Sequence, residues 1–135
     1  LLITAIKTRL KSKQKIFICG NGGSACSAIH FAEDLMGYGA RAMALTNIGF
    51  LTATANDKGY KYVFARPLKV WADPGDLLIT LSTSGISSNI LEAIKIAKKL
   101  QLLVISFPTN KQLKKTTPRT EDTHLRLIHD VVTKL

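Results

Sequence analysis

Residues 15–37 read KIFICGNGGSACSAIHFAEDLMG. The first six residues form a β-prone apolar run that ends in glycine, and a glycine-rich segment follows them. The remainder has a helix-like pattern that continues to about Gly37. This order predicts a strand, a tight loop and a helix, which is a unit typical of sheets whose strands alternate with helices.

The same alternation continues along the chain. Further strands are predicted at AMALTN (42–47), DLLITLS (76–82) and LLVISF (102–107), and further helices at 48–55, 58–70, 89–100 and from Pro118 to Leu135. Continuous apolar strands that alternate with helices indicate a parallel sheet covered on both faces. We therefore expect a doubly wound α/β fold, with residues 1–135 forming one domain. The polar segment 109–117 is expected to be a mobile or shortened loop.

Composition limits the classes of protein that need to be considered. Of the 135 residues 46% are hydrophobic, and no apolar run approaches the ~18–20 residues that a membrane-spanning helix requires. The N-terminal segment resembles the end of a truncated amphipathic helix rather than an export signal, so we expect a cytoplasmic protein. Cys19 and Cys26 match neither a redox pair nor a zinc-ribbon spacing and are expected to be reduced thiols.

The formal net charge of +10 raises the question of nucleic-acid binding. The basic residues are dispersed in three loose groups, near positions 7–15, 95–99 and 111–115, and no aromatic residues are interleaved with them. Such a pattern is typical of solvated helix faces that attract anionic substrates in a general way. We therefore expect no nucleic-acid partner and no membrane partner.

The loop at Gly20–Ala25 formally satisfies the weak GxGxxA pattern of dinucleotide sites. A dinucleotide site also requires an acidic residue at the end of the second strand, where this chain has Asn47. A structural turn would explain one or two glycines, but not three glycines together with Asn21 and Ser24. The loop is therefore expected to bind a ligand other than a dinucleotide.

A second polar turn, Ser82–Ser88, follows the strand predicted at 76–82 and precedes a helix. A helix N-terminus favours a phosphate dianion through its free N–H groups and its dipole. No lysine follows the turn, which excludes a nucleotide P-loop, although single serines in such a turn often serve only as caps. The density of hydroxyl groups favours a small phosphomonoester as the ligand.

Ionisable side chains on two helices are candidates for chemistry. His30 and Asp34 are four residues apart and project from one helix face, so they could share a metal ion or a proton-transfer task. The last helix adds Glu121, His124 and His129. Glu121 and His129 are about 12 Å apart along a straight helix axis, so the spacing alone does not bring both to one metal ion. A single helical histidine is also commonly a packing residue.

Four stretches together resemble the phosphoheptose isomerase family, whose members have the SIS (sugar isomerase) fold. They are GNGGSACSAIHFAEDLMG (20–37), LTATANDKGYKYVFARPL (51–68), GDLLITLSTSGISSNILEAI (75–94) and TPRTEDTHLRLIH (117–129). The GNGGS, ANDxGY and STSGxS elements occur in the order and spacing of the family. The resemblance implies a flavodoxin-like three-layer sandwich and the isomerisation of sedoheptulose 7-phosphate to D-glycero-D-manno-heptose 7-phosphate, towards the heptose of surface glycans.

The resemblance also implies roles for individual residues. Asp34 would be the catalytic base and His129 the acid. The substrate would be bound by Asn21, Gly22, Gly23, Ser24, Asn56, Asp57, Ser82, Thr83, Ser84, Ser87 and Glu121. A zinc ion would be held by His30, Asp34, Glu121 and His129. The family assembles as a homotetramer with active sites between subunits, so a tetramer is expected here as well.

Two residues depart from the pattern of the family. Asp34 stands where the family usually has glutamate, one methylene longer, and Glu121 stands where it usually has glutamine. The shorter base could lose reach, in which case neighbouring Glu33 is an alternative. The segments around 37–41 and 111–117 are also short for the family. A second hypothesis is a non-catalytic SIS module that senses a sugar phosphate or binds a partner such as a replication initiator; the retained acid–base residues favour the enzyme.

Overall fold

The computed structural model describes residues 1–135 and contains a four-stranded sheet surrounded by seven α-helices. The strands are β1 (Lys15–Gly20), β2 (Arg41–Ala44), β3 (Leu77–Leu81) and β4 (Leu103–Ser106). The helices are α1 (Leu2–Ser12), α2 (Gly23–Gly37), α3 (Ile48–Asp57), α4 (Ala65–Trp71), α5 (Ser88–Lys99), α6 (Asn110–Leu113) and α7 (Thr117–Val132). None of these helices is both long and apolar enough to cross a membrane.

All strand pairs are parallel, and the strand order is β2-β1-β3-β4. The chain winds outward from β1 to β2 and then crosses back to place β3 on the other side of β1. The strand order therefore reverses between β1 and β3, which is the position where open α/β sheets bind ligands. The fold confirms the doubly wound α/β architecture that the sequence predicts.

Alternate residues of the central strands point to two separate hydrophobic cores. On one face, Ile16 and Ile18 of β1 pack with α1, α2 and α7. On the other face, Phe17 and Cys19 pack with α4 and α5. The structure is therefore a three-layer sandwich, and burial raises the pKa of the Cys19 thiol to about 12, so this thiol is an unreactive packing group.

Two local predictions need correction. The single helix expected at 58–70 is wrong: the structure has a short 3-10 helix at Tyr60–Tyr62 and then α4. Gly59 has a φ of 105°, so no helix runs through residues 58 and 59. Pro67 cannot donate to the carbonyl of Val63, so it is accommodated in the first turn of α4, where its missing N–H is not needed. The segment 109–117, expected to be a loop, contains α6, whose N-terminus is closed by a capping box formed by Thr109 and Gln112.

An ionic cluster at the N-terminal ends of the two central strands connects β1 to the turn before β3. Lys15 Nζ pairs with Asp73 and lies 3.2 Å from Asp76 Oδ2. The buried Asp76 carboxylate also accepts hydrogen bonds from the backbone N–H groups of Lys15 (2.7 Å) and Asp73 (2.9 Å). The hydrogen bond between Lys15 and Asp73 raises the pKa of Lys15 and lowers the pKa of Asp73. The paired charges therefore stabilise the folded state.

This cluster predicts how stability depends on pH. Because the pKa of Asp73 is lowered on folding, its contribution is present above the ordinary carboxyl value of 3.8 and is lost as the pH falls through the folded value. Because the pKa of Lys15 is raised, its contribution is complete below 10.5 and is lost as the pH rises through the folded value. Urea denaturation at pH values from below 3.8 to above 10.5 should show that the free energy of unfolding falls at both ends of this range.

Asp73→Asn should reduce the loss of unfolding free energy at low pH, because it removes the titrating carboxyl group. It should also reduce the loss at high pH, because it removes one partner of Lys15. Asp130→Asn is a matched control, since Asp130 is exposed and takes part in no ion pair. If the two variants gave the same pH profile, the cluster would not be the cause of the pH dependence.

Candidate functional site

The site is built where β1 and β3 end side by side. Gly20 is paired with Leu81 at the last register position of these neighbouring strands. The glycine loop therefore leaves the sheet directly beside the turn that begins at Ser82. A Cβ atom at Gly20 would lie 2.7 Å from Ser24 Cβ and 2.8 Å from Leu81 O, so only glycine permits this close packing of the loop on β3.

These two loops and the start of α7 enclose a polar cavity of about 250 Å³. It is lined by Asn21, Gly22, Gly23, Ser24, Leu81, Ser82, Thr83, Ser84, Ser87, Thr117 and Glu121. Only one of these side chains is apolar, and only Glu121 is ionisable. The structure therefore places together nine of the eleven residues to which the family resemblance gives a role in substrate binding.

Three helices begin at this cavity. The N-caps of α2, α5 and α7 are Gly22, Ser87 and Thr116, and none of them makes a side-chain capping hydrogen bond. Helix N-termini carry N–H groups without intrahelical partners and a partial positive charge. Three such ends around one cavity favour an anion, although no lysine or arginine side chain lines it.

Hydrogen bonds fix the conformation of the polar turn at 82–88, called the hydroxyl turn from here on. Ser82 Oγ accepts from Gly85 N at 3.0 Å, and Ser84 Oγ lies 3.3 Å from Ser87 Oγ. Asn110 N of α6 donates to Thr83 O at 2.7 Å, which connects the turn to the segment after β4. The turn is thus preorganised, and its Ser84 and Ser87 hydroxyls face each other at the cavity.

A second group of side chains lies further along α2 and α7. His30 Nε2 is 3.0 Å from His129 Nε2 and 3.4 Å from Asp34 Oδ2. Ligand atoms of these three residues all lie within 4.8 Å of one another, so the group could hold a metal ion. The His30 side chain is 39% exposed and that of Asp34 25% exposed. The group is therefore open to solvent in this single chain.

Glu121 is not part of this group. Its carboxylate faces the start of α2, where a Cβ atom at Gly23 would lie 3.1 Å from Glu121 Oε1. The eight-residue step from Glu121 to His129 spans about 12 Å along α7. Of the four zinc ligands that the resemblance implies, the structure of one chain brings three together and places Glu121 in the polar cavity.

Asn56 and Asp57 do not line the polar cavity. They end α3, both are exposed, and Asn56 Nδ2 donates to Asp57 Oδ1 at 2.9 Å. Their contact with a sugar stays a prediction.

His124 is a packing residue in this fold. It is 1% exposed, its Nε2 lies 2.7 Å from Pro108 O, and its ring stands edge-on to Phe107. These contacts attach α7 to the segment that follows β4.

Sequence reasoning missed two polar residues beside the cavity. Asn89 is buried and exchanges hydrogen bonds with Asn21, and Tyr60 Oη lies 3.3 Å from Asn21 Oδ1. A polar residue at an inward position in the first turn of an amphipathic helix is the signal that could have identified Asn89. Tyr60 had no such signal beyond its place in the ANDxGY element.

Two apolar clefts, each slightly larger than the polar cavity, lie elsewhere on the protein. One, of about 290 Å³, lies beyond the end of β2 against Phe50 and Trp71. The other, of about 340 Å³, lies between the start of α1, β4 and α7. Neither cleft is lined by an ionisable side chain, so neither offers the acid–base or phosphate-binding groups that the polar cavity and its neighbouring histidines combine.

A family model described as SIS domain matches residues 2–108. The phosphoheptose isomerase of Cytophaga hutchinsonii is 36% identical over 148 residues, covering 94% of this chain and 77% of that protein. The phosphoheptose isomerase of Campylobacter concisus is 48% identical over 103 residues, covering 71% of this chain and 54% of that protein.

Solved structures agree with this result. The phosphoheptose isomerase GmhA from Neisseria gonorrhoeae superimposes with a TM-score of 0.90 at 33% sequence identity, over 98% of this chain and 81% of that chain. A phosphoheptose isomerase from Francisella tularensis gives a TM-score of 0.86 at 27% identity, over 99% of this chain and 83% of that chain.

Proposed function

Because the chain belongs to the SIS domain family, and within it to the phosphoheptose isomerases, we propose that it converts sedoheptulose 7-phosphate to D-glycero-D-manno-heptose 7-phosphate. The reaction is an aldose–ketose isomerisation that would supply heptose for surface glycans. The observation that carries the proposal is the placement of the polar cavity and the His30–Asp34–His129 group along the same pair of helices. This convergence favours an enzyme over a non-catalytic sensor.

The polar cavity suits the phosphate end of the substrate. The N-termini of α2, α5 and α7 offer backbone N–H groups, and the hydroxyl groups of Ser82, Thr83, Ser84 and Ser87 supply further donors. A dianion gains from these fixed dipoles without any basic side chain. Binding through the phosphate would direct the carbonyl end of the sugar away from the sheet.

The carbonyl end would lie along α2 and α7, which pack side by side and both begin at the cavity. His30 follows Gly23 by seven residues, or about 10 Å of helix. An extended seven-carbon sugar phosphate can bridge a span of this order. The separation of phosphate site and acid–base group therefore supports a long-chain sugar phosphate as substrate.

The chemistry needs one base and one acid. Asp34 would remove a proton from C1 of the ketose while His129 donates a proton to the C2 carbonyl oxygen, which gives the enediol. Return of a proton to C2 and loss of the proton from the C1 hydroxyl would then give the aldose. His30, within 3.4 Å of Asp34 and 3.0 Å of His129, would keep both side chains oriented.

The donor set fits a zinc ion. Two imidazole nitrogens and one carboxylate resemble catalytic zinc sites, which use three protein ligands and leave a position open. We propose that His30, Asp34 and His129 hold Zn²⁺. Glu121, the fourth ligand that the family resemblance implies, lies in the polar cavity of its own chain and would reach such an ion only across a subunit contact. Bound zinc would polarise the substrate oxygens as a Lewis acid. Asp34 would serve both as a ligand and as the base, and a carboxylate that holds a cation is a weaker base than a free one.

We propose that residues 1–135 act as one SIS domain in a cytoplasmic homotetramer. Three apolar side chains are exposed on the two helices that carry the histidines, namely Ile29 and Met36 of α2 and Leu125 of α7. A second copy packed against these helices would cover such side chains and shield the acid–base group from water. Both cysteines are free, which agrees with a reducing compartment.

The proposed function predicts that catalysis requires the phosphate group of the substrate and the turn at 82–88 that would bind it. Turnover of sedoheptulose 7-phosphate should be detectable by aldose formation, and unphosphorylated sedoheptulose should react far more slowly. Ser84→Ala should raise the KM for the phosphorylated sugar about 5–30-fold, because it removes one hydrogen bond to a charged group. Thr52→Ala is a control, since Thr52 is exposed and its hydroxyl bonds only to backbone of its own helix. Equal rates with both sugars would reject phosphate binding in the polar cavity.

A further inference from the structure

Two asparagine side chains form a reciprocal amide pair behind the polar cavity. Asn21 Nδ2 donates to Asn89 Oδ1 at 2.9 Å, and Asn89 Nδ2 donates to Asn21 Oδ1 at 2.7 Å. The two residues are 68 positions apart in the chain, and Asn89 is 2% exposed. Each amide therefore satisfies a polar group of the other, and the buried amide of Asn89 has no access to water as an alternative partner.

Two further hydrogen bonds extend the pair. Tyr60 Oη donates to Asn21 Oδ1 at 3.3 Å, and the backbone N–H of Ile90 donates to Asn89 Oδ1 at 3.0 Å. The Oδ1 atom of Asn21 thus has two donors, and its Nδ2 has one acceptor. Only the second Nδ2 hydrogen of Asn21 remains for a ligand in the cavity, so most of the hydrogen-bonding capacity of this side chain is used within the protein.

The pair connects the two loops that form the cavity. Asn21 immediately precedes Gly22, the N-cap of α2, and Asn89 lies in the first turn of α5. The relative position of the two helix N-termini is therefore fixed by side chains as well as by the pairing of β1 with β3. Anion binding between two helix ends depends steeply on their separation, because each N–H group must point at the same ligand.

We propose that Asn89 is a positioning residue, which through its amide pair with Asn21 and the supporting hydroxyl of Tyr60 holds the N-termini of α2 and α5 at the spacing that binds a phosphate group. This inference rests on the proposed function for the identity of the ligand. The role requires an amide at position 89, since the side chain must donate and accept at the same time. A carboxylate would face Asn21 Oδ1 without a proton to donate. An apolar side chain would leave Asn21 Nδ2 without its acceptor and Asn21 Oδ1 with the Tyr60 hydroxyl as its one remaining donor.

The test compares Asn89→Ala, Asn21→Ala and the double variant with the unchanged protein. Affinity for inorganic phosphate is measured by calorimetry, and amide hydrogen exchange is measured in segments 21–24 and 83–87. Each single substitution should weaken phosphate binding by about tenfold and speed exchange in both segments, because loss of either amide releases both loops. The double variant should bind phosphate with the same affinity as the single variant that binds it less tightly. Tyr60→Phe, which removes only the supporting hydroxyl, should have a smaller effect in the same direction.

Thr80→Val is the matched control. Thr80 is 1% exposed, and its Oγ1 donates to Ser106 Oγ at 2.8 Å in the same sheet, so its loss removes a buried hydrogen bond that does not join the two loops. It should lower the melting temperature and leave phosphate affinity and loop exchange unchanged. Unchanged exchange in both segments in Asn89→Ala and in Asn21→Ala, or effects of the two substitutions that simply add, would overturn the positioning role. Failure of the unchanged protein to isomerise the sugar would instead reject the proposed function, and the exchange measurement would still decide the role of Asn89.

Discussion

Asp34→Asn should lower the turnover of sedoheptulose 7-phosphate by about 10²–10⁴-fold, which is the usual contribution of a positioned general base. The substitution keeps the size of the side chain and removes its ability to take a proton from C1. Its neighbour His30, 3.4 Å away, would remain in place, so binding of the phosphate end should be little affected. The loss should therefore be seen in kcat, measured as the initial rate of aldose formation at saturating substrate.

Glu33→Gln is the matched control for this experiment. Glu33 is the adjacent carboxylate on the same helix, its side chain is 76% exposed, and its Oε2 lies 3.9 Å from His30 Nδ1. Because Glu33 approaches the other nitrogen of the same imidazole, the two variants decide which carboxylate is the base. A large loss in Glu33→Gln with little loss in Asp34→Asn would transfer the role to Glu33.

His30→Ala should weaken zinc binding by at least about 100-fold, since loss of even an outer-shell partner of a metal site commonly costs 10–100-fold in affinity. His30 is central to the group, because its Nε2 contacts both the His129 ring and the Asp34 carboxylate. Competition with a chromophoric chelator would measure the affinity without reference to activity. Asp122→Asn, which removes an exposed carboxylate of α7 outside the group, should leave the affinity unchanged. An unchanged affinity in His30→Ala would show that zinc is not bound by this group.

The fold was largely predictable because its strands are continuous apolar runs. The run at 15–20 was predicted as a strand and forms β1, and the run at 76–82 contains β3. The start of the helix expected at 58–70 is wrong because Gly59 has a positive φ, which the sequence pattern does not specify. The short helix α6 was not predicted because it lies in a polar segment without an apolar pattern, where only the capping box of Thr109 and Gln112 marks its start.

The candidate site was predictable only where its residues are neighbours in the sequence. The hydroxyl turn and the glycine loop could be recognised from local sequence. Helix geometry predicted that Glu121 and His129 lie far apart along α7, and the structure confirms this. The amide pair of Asn21 and Asn89 joins positions 68 residues apart, so no local pattern reveals it. Contacts of this kind depend on the order of the strands, which sequence periodicity does not determine.

The isomerase activity itself is tested most directly by adding sedoheptulose 7-phosphate to the zinc-loaded protein in D₂O and following the anomeric region of the proton NMR spectrum. Signals of an aldoheptose 7-phosphate should grow at the expense of the ketose, and the product should carry solvent deuterium at C2 where the enediol exchanges its proton. A protein that binds inorganic phosphate in the polar cavity yet forms no aldose at any zinc concentration would contradict the account.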